Sequence, residues 1–230
     1  MERIPSGIIG LDDKIEGGFP DKSSILLFGP SGVGKTVFCG QFIYTGLTRG
    51  ESGIYITFDM PPEDLINNMK KFGWVIEGKI VVFIDAYSWR VGGKVSDEFV
   101  IQEITDLNDF MLKFHKALKY LENKNPKRCA VDSLSTLFLF LPQDLALRFV
   151  SSIIGRAKAS NLVTVCTLLS TLHTQSLIDS LSLMFDGCIE MNFSEILQKR
   201  IMRINKMMAT KFDFDWFPYE IENDGIKVIL

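Results

Sequence analysis

The chain has 230 residues, of which 47 % are hydrophobic and 18 are phenylalanine, so it can fill the core of one large α/β domain spanning residues 1–230. This composition excludes extensive disorder. The net charge of −3 excludes a general attraction to nucleic acid and leaves room only for a local basic patch. No apolar run approaches about 18 residues and no apolar signal segment opens the chain, so we expect a cytoplasmic protein without membrane contact.

The chain begins with a segment rich in glycine and proline, residues 1–22. We expect it to form turns with a short helix at 11–15 rather than a packed layer. A short apolar run at 24–28 then predicts a buried strand, and the apolar spacing at 37–47 predicts a helix.

The residues that join this strand to this helix have the G-x-x-x-x-G-K-[ST] spacing of a phosphate-binding loop. Their glycines let the backbone fold around a polyphosphate, so that amides from Gly32 onward donate to phosphate oxygens at the positive end of the helix. Lys35 would reach the β and γ phosphates, and the Thr36 hydroxyl would bind Mg²⁺. The predicted nucleotide-binding residues are Gly29, Ser31, Gly32, Val33, Gly34, Lys35, Thr36 and Val37.

Strands and helices continue to alternate after the loop. We predict a strand at 54–58 closed by Asp59, a helix from Pro61 to Gly73, and a strand at 80–84. This alternation predicts a parallel sheet with helices on both faces. Residues 86–105 have no sustained periodicity, and we expect an irregular region with a mobile surface there.

An amphipathic helix is predicted at 106–123, with His115 off its apolar face as a solvated surface residue. The strand predicted at 127–132 ends in Asp132. An aspartate at a strand end beside a phosphate loop orients water in the Mg²⁺ shell, so Asp132 is the second predicted metal residue. The alternative is that Asp132 caps the following turn.

A further helix is predicted at 145–159 and a further strand at 162–168, whose polar end, Ser170 and Thr171, is placed to sense the γ-phosphate. His173 follows in a polar cluster. We interpret it as a solvated residue too, although its position after a strand end makes it the better of the two histidines for lining a site.

The C-terminal part predicts short strands that add antiparallel to the sheet edge, at 188–191, 200–205, 217–221 and 226–229, with a hairpin turn at Asp224–Gly225. The cysteines occur singly, without the spacing of a metal site. We expect them to be reduced and mostly in the core; they are Cys39, Cys129, Cys166 and Cys188.

Taken together, these motifs resemble the KaiC-like branch of the RecA-type ATPases in its single-domain form, almost from end to end. The resemblance implies a RecA-type core, ATP or ADP with Mg²⁺, and often a ring-shaped oligomer such as a hexamer, in which one subunit completes its neighbour's site. The segments that carry it, besides the loop, are 5–12, 17–18, 55–59, 61–64, 72–74, 131–134 and 205–207.

Two departures from the family pattern bear on catalysis. The family usually has two glutamates where this chain has Asp59 and Met60, and it commonly has Lys-x-Arg where this chain has Lys206, Met207 and Met208. The resemblance makes Asp59 and Lys206 the remaining catalytic candidates. General-base assistance is worth roughly 10²- to 10⁴-fold and an arginine finger roughly 10³- to 10⁵-fold, so we predict slow hydrolysis.

Three functions stay open from the sequence. The first is an ATP-binding switch whose nucleotide state controls assembly or contact with an unknown protein partner. The second is an efficient RecA-type ATPase, in which Glu63 or Asp64 serves as base and the methionines only fill space. The third is a recombination accessory that binds single-stranded DNA, for which Lys70–Lys71, Lys199–Arg200 and Trp89–Arg90 give thin support. Trp74 lies either near the adenine or, as helix-end aromatics more often do, in the core.

Overall fold

The computed structural model describes residues 2–91 and 98–229. Its strands are β1 (Arg3–Ile4), β2 (Phe19–Pro20), β3 (Ser24–Gly29), β4 (Ser52–Thr57), β5 (Val81–Asp85), β6 (Pro126–Asp132), β7 (Val163–Leu169), β8 (Gly187–Ser194), β9 (Lys199–Met207), β10 (Phe217–Glu222) and β11 (Gly225–Val228). Its helices are α1 (Leu11–Lys14), α2 (Lys35–Thr48), α3 (Pro62–Lys71), α4 (Leu107–Leu121), α5 (Leu134–Phe140), α6 (Gln143–Ala159) and α7 (Gln175–Met184). In this described part no helix is long and apolar enough to cross a membrane.

Nine of the described strands form one sheet in the order β11-β10-β9-β8-β3-β7-β6-β4-β5. The strands from β8 across to β5 pair in parallel, whereas β9, β10 and β11 add antiparallel at the other side. This confirms the predicted α/β class, with a mostly parallel sheet and antiparallel C-terminal strands. The prediction that residues 188–191 also add antiparallel at the edge is wrong, because β8 lies inside the sheet and pairs in parallel with β3. Because crossover connections return each parallel strand to the same direction, β3, β7, β6 and β4 all end at one edge of the sheet.

Apolar side chains cover both faces of this sheet. Successive residues of a strand point to opposite faces, so Leu26 packs with α4 to α7 on one side while Leu27 packs with α1 to α3 on the other. Burial of both faces explains why the central strands are continuously apolar rather than alternating. All four cysteines are buried and free, as the sequence predicted.

The N-terminal segment forms a packed layer, so the prediction that it would not is wrong. Strands β1 and β2 pair with each other, and the ring of Phe19 packs against Phe42 of α2 with centroids 5.9 Å apart. The layer buries five apolar side chains to 3 % exposure or less: Ile4, Ile8, Leu11, Ile15 and Phe19. The intervening glycines hid this pattern, because they break the regular spacing by which a helix or strand is identified.

Two short helices, α5 and α7, were not predicted. Helix α5 joins Asp132 to α6, and the 3-10 turn Ser170–Leu172 leads toward α7. The region predicted to be irregular, 86–105, contains the 3-10 turn Ser88–Val91 and a bridge from Asp85 to Val100. Its residues 92–97, with Gly92 and Gly93, lie outside the described part of the chain.

Candidate nucleotide-binding site

The predicted phosphate loop opens into a cleft of about 660 Å³ at the carboxyl edge of the parallel strands. The ends of β3, β4, β6 and β7 meet there, which is where open α/β sheets bind ligands. The cleft brings together eight of the predicted site residues: Ser31, Gly32, Gly34, Lys35, Thr36, Val37, Asp59 and Asp132. Gly29 and Val33 belong to the backbone of the loop and do not line the cleft.

The loop is fixed from behind by the C-terminal strands. Gly29 must be glycine because a Cβ there would lie 2.1 Å from the carbonyl oxygen of Met191 in β8. Gly34 has φ +103°, and a Cβ would lie 2.6 Å from Ile221 of β10. The Tyr219 hydroxyl donates to the Val33 carbonyl at 2.5 Å. Added strands that were predicted only as edge strands therefore shape the loop.

Lys35 is the first residue of α2, and its side chain is held within the loop. Its Nζ donates to the carbonyl oxygens of Gly29 at 2.8 Å and Pro30 at 2.7 Å. Burial lowers the pKa of Lys35 to about 8, partly offset by the carboxylates of Asp132 and Asp59. Phosphate oxygens can replace these two carbonyls as acceptors from the Lys35 ammonium at the positive end of the helix.

Asp132 ends β6 inside a network of hydroxyl groups. Thr167 of β7 donates to its carboxylate at 2.6 Å and Tyr55 of β4 at 3.1 Å, and the Thr36 hydroxyl also bonds it. Burial is the main cause that raises the pKa of Asp132; these hydroxyl bonds oppose the rise. The carboxylate is thus oriented by its neighbours and faces Thr36, instead of capping the following turn.

The oxygen donors of Thr36 and Asp132 fit a Mg²⁺ ion. Mg²⁺ is held in such sites by one or two protein oxygens together with phosphate oxygens and water, and no all-protein cage is needed. Accordingly, no cluster of three or more potential metal-ligating His, Cys, Asp or Glu residues occurs in the described ranges.

Asp59 and Met60 follow β4 and point to different places. The carboxylate of Asp59 lines the cleft and accepts a hydrogen bond of 2.5 Å from the Thr136 hydroxyl of α5. The Met60 side chain lines a separate apolar pocket of about 350 Å³, with its sulfur 3.7 Å from Nδ2 of Asn68. Asp59 is therefore the residue of this pair that faces the cleft.

Neither Glu63 nor Asp64, the alternative bases, reaches the cleft. Glu63 lines another pocket beside the edge strand β5, and Asp64 is exposed in the first turn of α3. Trp74 lies in the core, where it stacks on Phe72 with centroids 4.7 Å apart.

Lys206 and Met208 lie toward the opposite edge of the sheet. Lys206 pairs with Cys188, which pairs with Leu26 of β3. At about 3.3 Å per residue, Leu26 lies about 10 Å along the strand from the loop at Gly29. The Lys206 ammonium donates to the carbonyls of Ser182 at 3.0 Å and Phe185 at 2.6 Å. Neither side chain can meet a phosphate bound by its own loop.

The cleft also contains residues that sequence reasoning missed. These are Arg90, Ser135 and Thr136. Ser170 and Thr171, which we expected near the γ-phosphate, do not line the cleft; at the end of β7 it is lined by Leu169 and Leu172 instead. Ser135 and Thr136 could have been expected, because they follow Asp132 closely at the same strand end. Arg90 had been considered only in connection with DNA.

His173 is not the solvated residue that we expected. Its Nε2 lies 3.0 Å from the Ser135 hydroxyl, its ring packs against Phe138 with centroids 5.6 Å apart, and burial lowers its pKa. It therefore supports the wall of the cleft. His115 is exposed on α4, as predicted.

Comparison with known proteins gives consistent matches over the whole chain. The family described as "ATPase: KaiC" matches residues 4–230. The UPF0273 protein PF1931 of Pyrococcus furiosus is 30 % identical, over 99 % of this chain and 94 % of its own length. A UPF0273 protein of Thermotoga maritima is also 30 % identical, over 99 % and 96 %.

A solved structure matches the fold as well. The KaiC-like protein PH0186 of Pyrococcus horikoshii superimposes with a TM-score of 0.79 at 28 % identity, covering 100 % of this chain and 99 % of the other.

Proposed function

Because the chain belongs to the KaiC-like family of ATPases, we propose that it binds ATP with Mg²⁺ in this cleft, hydrolyses it slowly, and uses the bound nucleotide as a switch for assembly or partner contact. The observation that carries the proposal is the contrast between Asp59 and Met60. The phosphate loop, Lys35, Thr36 and Asp132 all border the cleft, but of the two positions that are glutamates in the family only Asp59 lines it, whereas Met60 lines a separate pocket.

Each binding group has a distinct task. The loop amides and Lys35 hold the β and γ phosphates, since charge-assisted hydrogen bonds to phosphate are the strongest that a protein makes. Thr36 and Asp132 would hold Mg²⁺, which when bound neutralises charge on the phosphate oxygens. The hydroxyls of Tyr55 and Thr167 keep the Asp132 carboxylate in place.

Asp59 would orient the attacking water and accept its proton. Aspartate is shorter than the glutamate of the family, and this carboxylate already accepts a hydrogen bond from Thr136. The shorter side chain reduces its reach toward a water near the γ-phosphate, and the bond from Thr136 occupies one of its oxygens. Slow hydrolysis prolongs the lifetime of the ATP state, which is what a switch requires.

Exposed apolar residues support a head-to-tail assembly. Leu139 and Leu172 line the cleft and are 62 % and 52 % exposed. On the side that carries Lys206, Leu183 is 84 % and Met208 is 55 % exposed. If these two faces meet, Lys206 of one subunit approaches the cleft of the next, and bound ATP lies between them.

The DNA-binding alternative has less support from the basic residues named for it. Lys70 forms an ion pair with Glu77 and Lys199 with Glu220. Arg200 donates to the Gly32 carbonyl behind the phosphate loop. Two of these cations are thus paired with carboxylates and the third donates to the loop, which leaves Lys71 and Arg90 as the remaining named basic residues without an ion pair in the described part of the chain.

The proposal is tested by measuring nucleotide binding and assembly together. Calorimetry should give ATP binding that strengthens with Mg²⁺, and sedimentation velocity should give a larger species with Mg²⁺-ATP than with Mg²⁺-ADP or without nucleotide. Leu183→Asp changes only the proposed contact face, so it should abolish the larger species while the subunit still binds nucleotide. No ATP binding at millimolar concentration, or one sedimentation coefficient in all three states, would contradict the proposal.

A further inference from the structure

Arg90 lies in the 3-10 turn Ser88–Val91, which leads from β5 to the edge of the cleft. The carboxylate of Asp85, at the end of β5, fixes this turn. It accepts hydrogen bonds of 2.9 Å from the amides of Tyr87 and Ser88 and of 2.6 Å from the Ser88 hydroxyl. The position of Arg90 is therefore set by a strand end, as the positions of Asp59 and Asp132 are.

Three aromatic rings surround the Arg90 guanidinium. Its carbon lies 5.0 Å from the ring centre of Tyr87, 5.6 Å from that of Trp89 and 6.0 Å from that of Phe140. Trp89 is itself held, since its indole donates to the Ala86 carbonyl at 2.9 Å and its ring packs edge-on against Phe140. Cation–π contacts hold a guanidinium through its face and leave its N–H groups free to donate.

No carboxylate of the described residues forms an ion pair or hydrogen bond with Arg90. The two carboxylates that line the cleft are engaged elsewhere, Asp59 with Thr136 and Asp132 with Thr167 and Tyr55. Lys35, the other cation that lines the cleft, donates to loop carbonyls. A guanidinium that is exposed, held in place and without an anionic partner among the described residues, in a cleft that carries a phosphate-loop motif, points to a phosphate as its partner, because its fork of donors matches phosphate oxygens.

The geometry points to Arg90 as a residue that contacts the terminal phosphate of ATP bound in the same subunit, and so makes the cleft prefer a nucleoside triphosphate to a diphosphate. This inference rests on the proposed binding of ATP in the cleft. Arg90 follows β5 and Asp59 follows β4, and two strands, β7 and β6, separate this pair of strands from β3, which leads into the loop. The loop amides and Lys35 approach the β and γ phosphates from the side of β3, so the oxygens of the terminal phosphate that face away from the loop are the ones left for Arg90.

In other members of the family, an arginine of the neighbouring subunit, at the position of Met208 in this chain, contacts the terminal phosphate. This assignment gives that task to Arg90 of the same subunit. A guanidinium supplied from within the subunit would recognise ATP in the monomer, before any neighbour is present. The chain could then distinguish ATP from ADP first and assemble afterwards, which is the order that a nucleotide-controlled assembly needs.

The test compares affinities for Mg²⁺-AMP-PNP, which is not hydrolysed, and Mg²⁺-ADP by calorimetry at concentrations where the chain is monomeric. Arg90→Gln should weaken AMP-PNP binding by about tenfold or more and leave ADP binding within about twofold, since one charge-assisted contact is lost. Arg90→Lys should restore part of the preference. Phe140→Leu, which removes one ring beside the guanidinium, should lower the preference by less than Arg90→Gln.

Arg148→Gln is the matched control, because Arg148 is exposed on α6 and does not line the cleft. It should leave both affinities unchanged, and thermal unfolding should show that every variant is folded. If Arg90→Gln keeps the wild-type ratio of the two affinities while the wild type binds both nucleotides, the assignment of Arg90 is wrong and the proposed function stands. If the wild type binds neither nucleotide, both are wrong.

Discussion

The two sides of the cleft differ in how completely they are built. On the loop side, the backbone is fixed by Tyr219, Lys35 is held by two carbonyls, and Asp132 is oriented by Tyr55 and Thr167. On the opposite side, Asp59 lines the cleft but Met60 does not, and the apolar Leu139 and Leu172 are exposed. The groups on the loop side are thus each held in place by neighbouring residues, whereas the groups that would assist hydrolysis on the opposite side are incomplete.

The largest effect that we expect is an increase in the rate of ATP hydrolysis when the two side chains that the family has at positions 60 and 208 are restored. Met60→Glu combined with Met208→Arg should raise ATP hydrolysis by about 10³-fold. The pocket of Met60 shares Thr36 and Val37 with the cleft, so a carboxylate at position 60 can turn toward the cleft as a general base, and position 208 supplies a cation from the neighbouring subunit. The gain should exceed the product of the two single gains, since each group helps a site that the other completes. Steady-state phosphate release checks this at protein concentrations spanning assembly.

In a monomer only Met60→Glu can help, because Met208 lies toward the far edge of its own sheet. Diluting the double variant below its assembly transition should therefore remove the contribution of Met208→Arg. If the wild type already releases phosphate as fast as the double variant, the methionines do not limit turnover and Asp59 is a sufficient base.

Lys35→Ala removes the cation on the loop side of the cleft. ATP affinity should fall by about 100-fold or more, because the phosphate charges lose their main side-chain partner. The matched control is Lys119→Ala, since Lys119 is exposed on α4 away from the cleft and should be neutral. Calorimetry measures the ATP affinity of both variants, and an unchanged affinity in Lys35→Ala would mean that the loop does not bind the phosphates.

Asp132→Asn distinguishes the contribution of Mg²⁺ to ATP affinity from the contribution of the phosphate contacts. The loop amides hold the phosphates without this carboxylate, so ATP binding in EDTA should be largely kept. The strengthening by Mg²⁺ should fall by about tenfold, because a neutral amide orients the water shell of the metal poorly. Asp179→Asn, on the exposed side of α7, is the control. Equal loss of affinity with and without Mg²⁺ would indicate a structural role instead.

The pH dependence of ATP binding sharpens the comparison further. The pKa of Lys35 in the free protein is about 8, and bound phosphates should raise it, so binding above that pH requires uptake of a proton. The affinity should be constant below about pH 8 and fall by up to about tenfold per pH unit above it. Calorimetry in two buffers with different heats of ionisation measures the proton uptake. An affinity that does not change up to pH 9.5 would mean that Lys35 does not bind as a cation.

Regular, continuous patterns are what made the fold predictable. Runs such as 24–28 and 54–58 are buried on both sides, so their apolar residues stand together in the sequence. Helix α5 was missed because its residues, LSTLFLF, show no polar face over seven positions. The N-terminal layer was missed because glycines separate its buried residues, and its packing depends on α2, which is distant in sequence.

The site was predicted as far as its residues are contiguous or end a strand. The loop is one motif, and Asp59 and Asp132 each close an apolar run. Arg90 follows its strand at a distance, and its position depends on the turn that Asp85 organises and on Phe140 from another helix. His173 reaches Ser135 only through the tertiary fold. Contacts of this kind have no signature in a single sequence.

The central claim is that this cleft holds ATP well and hydrolyses it slowly. It is tested most directly by a single-turnover experiment, with protein in excess over radiolabelled Mg²⁺-ATP and above the concentration at which the chain assembles. The account predicts that ATP binds fully and that its conversion to ADP is at least about 100-fold slower than the 1 s⁻¹ at the lower end of typical enzyme turnover. Conversion of bound ATP at about 1 s⁻¹ or faster would contradict it.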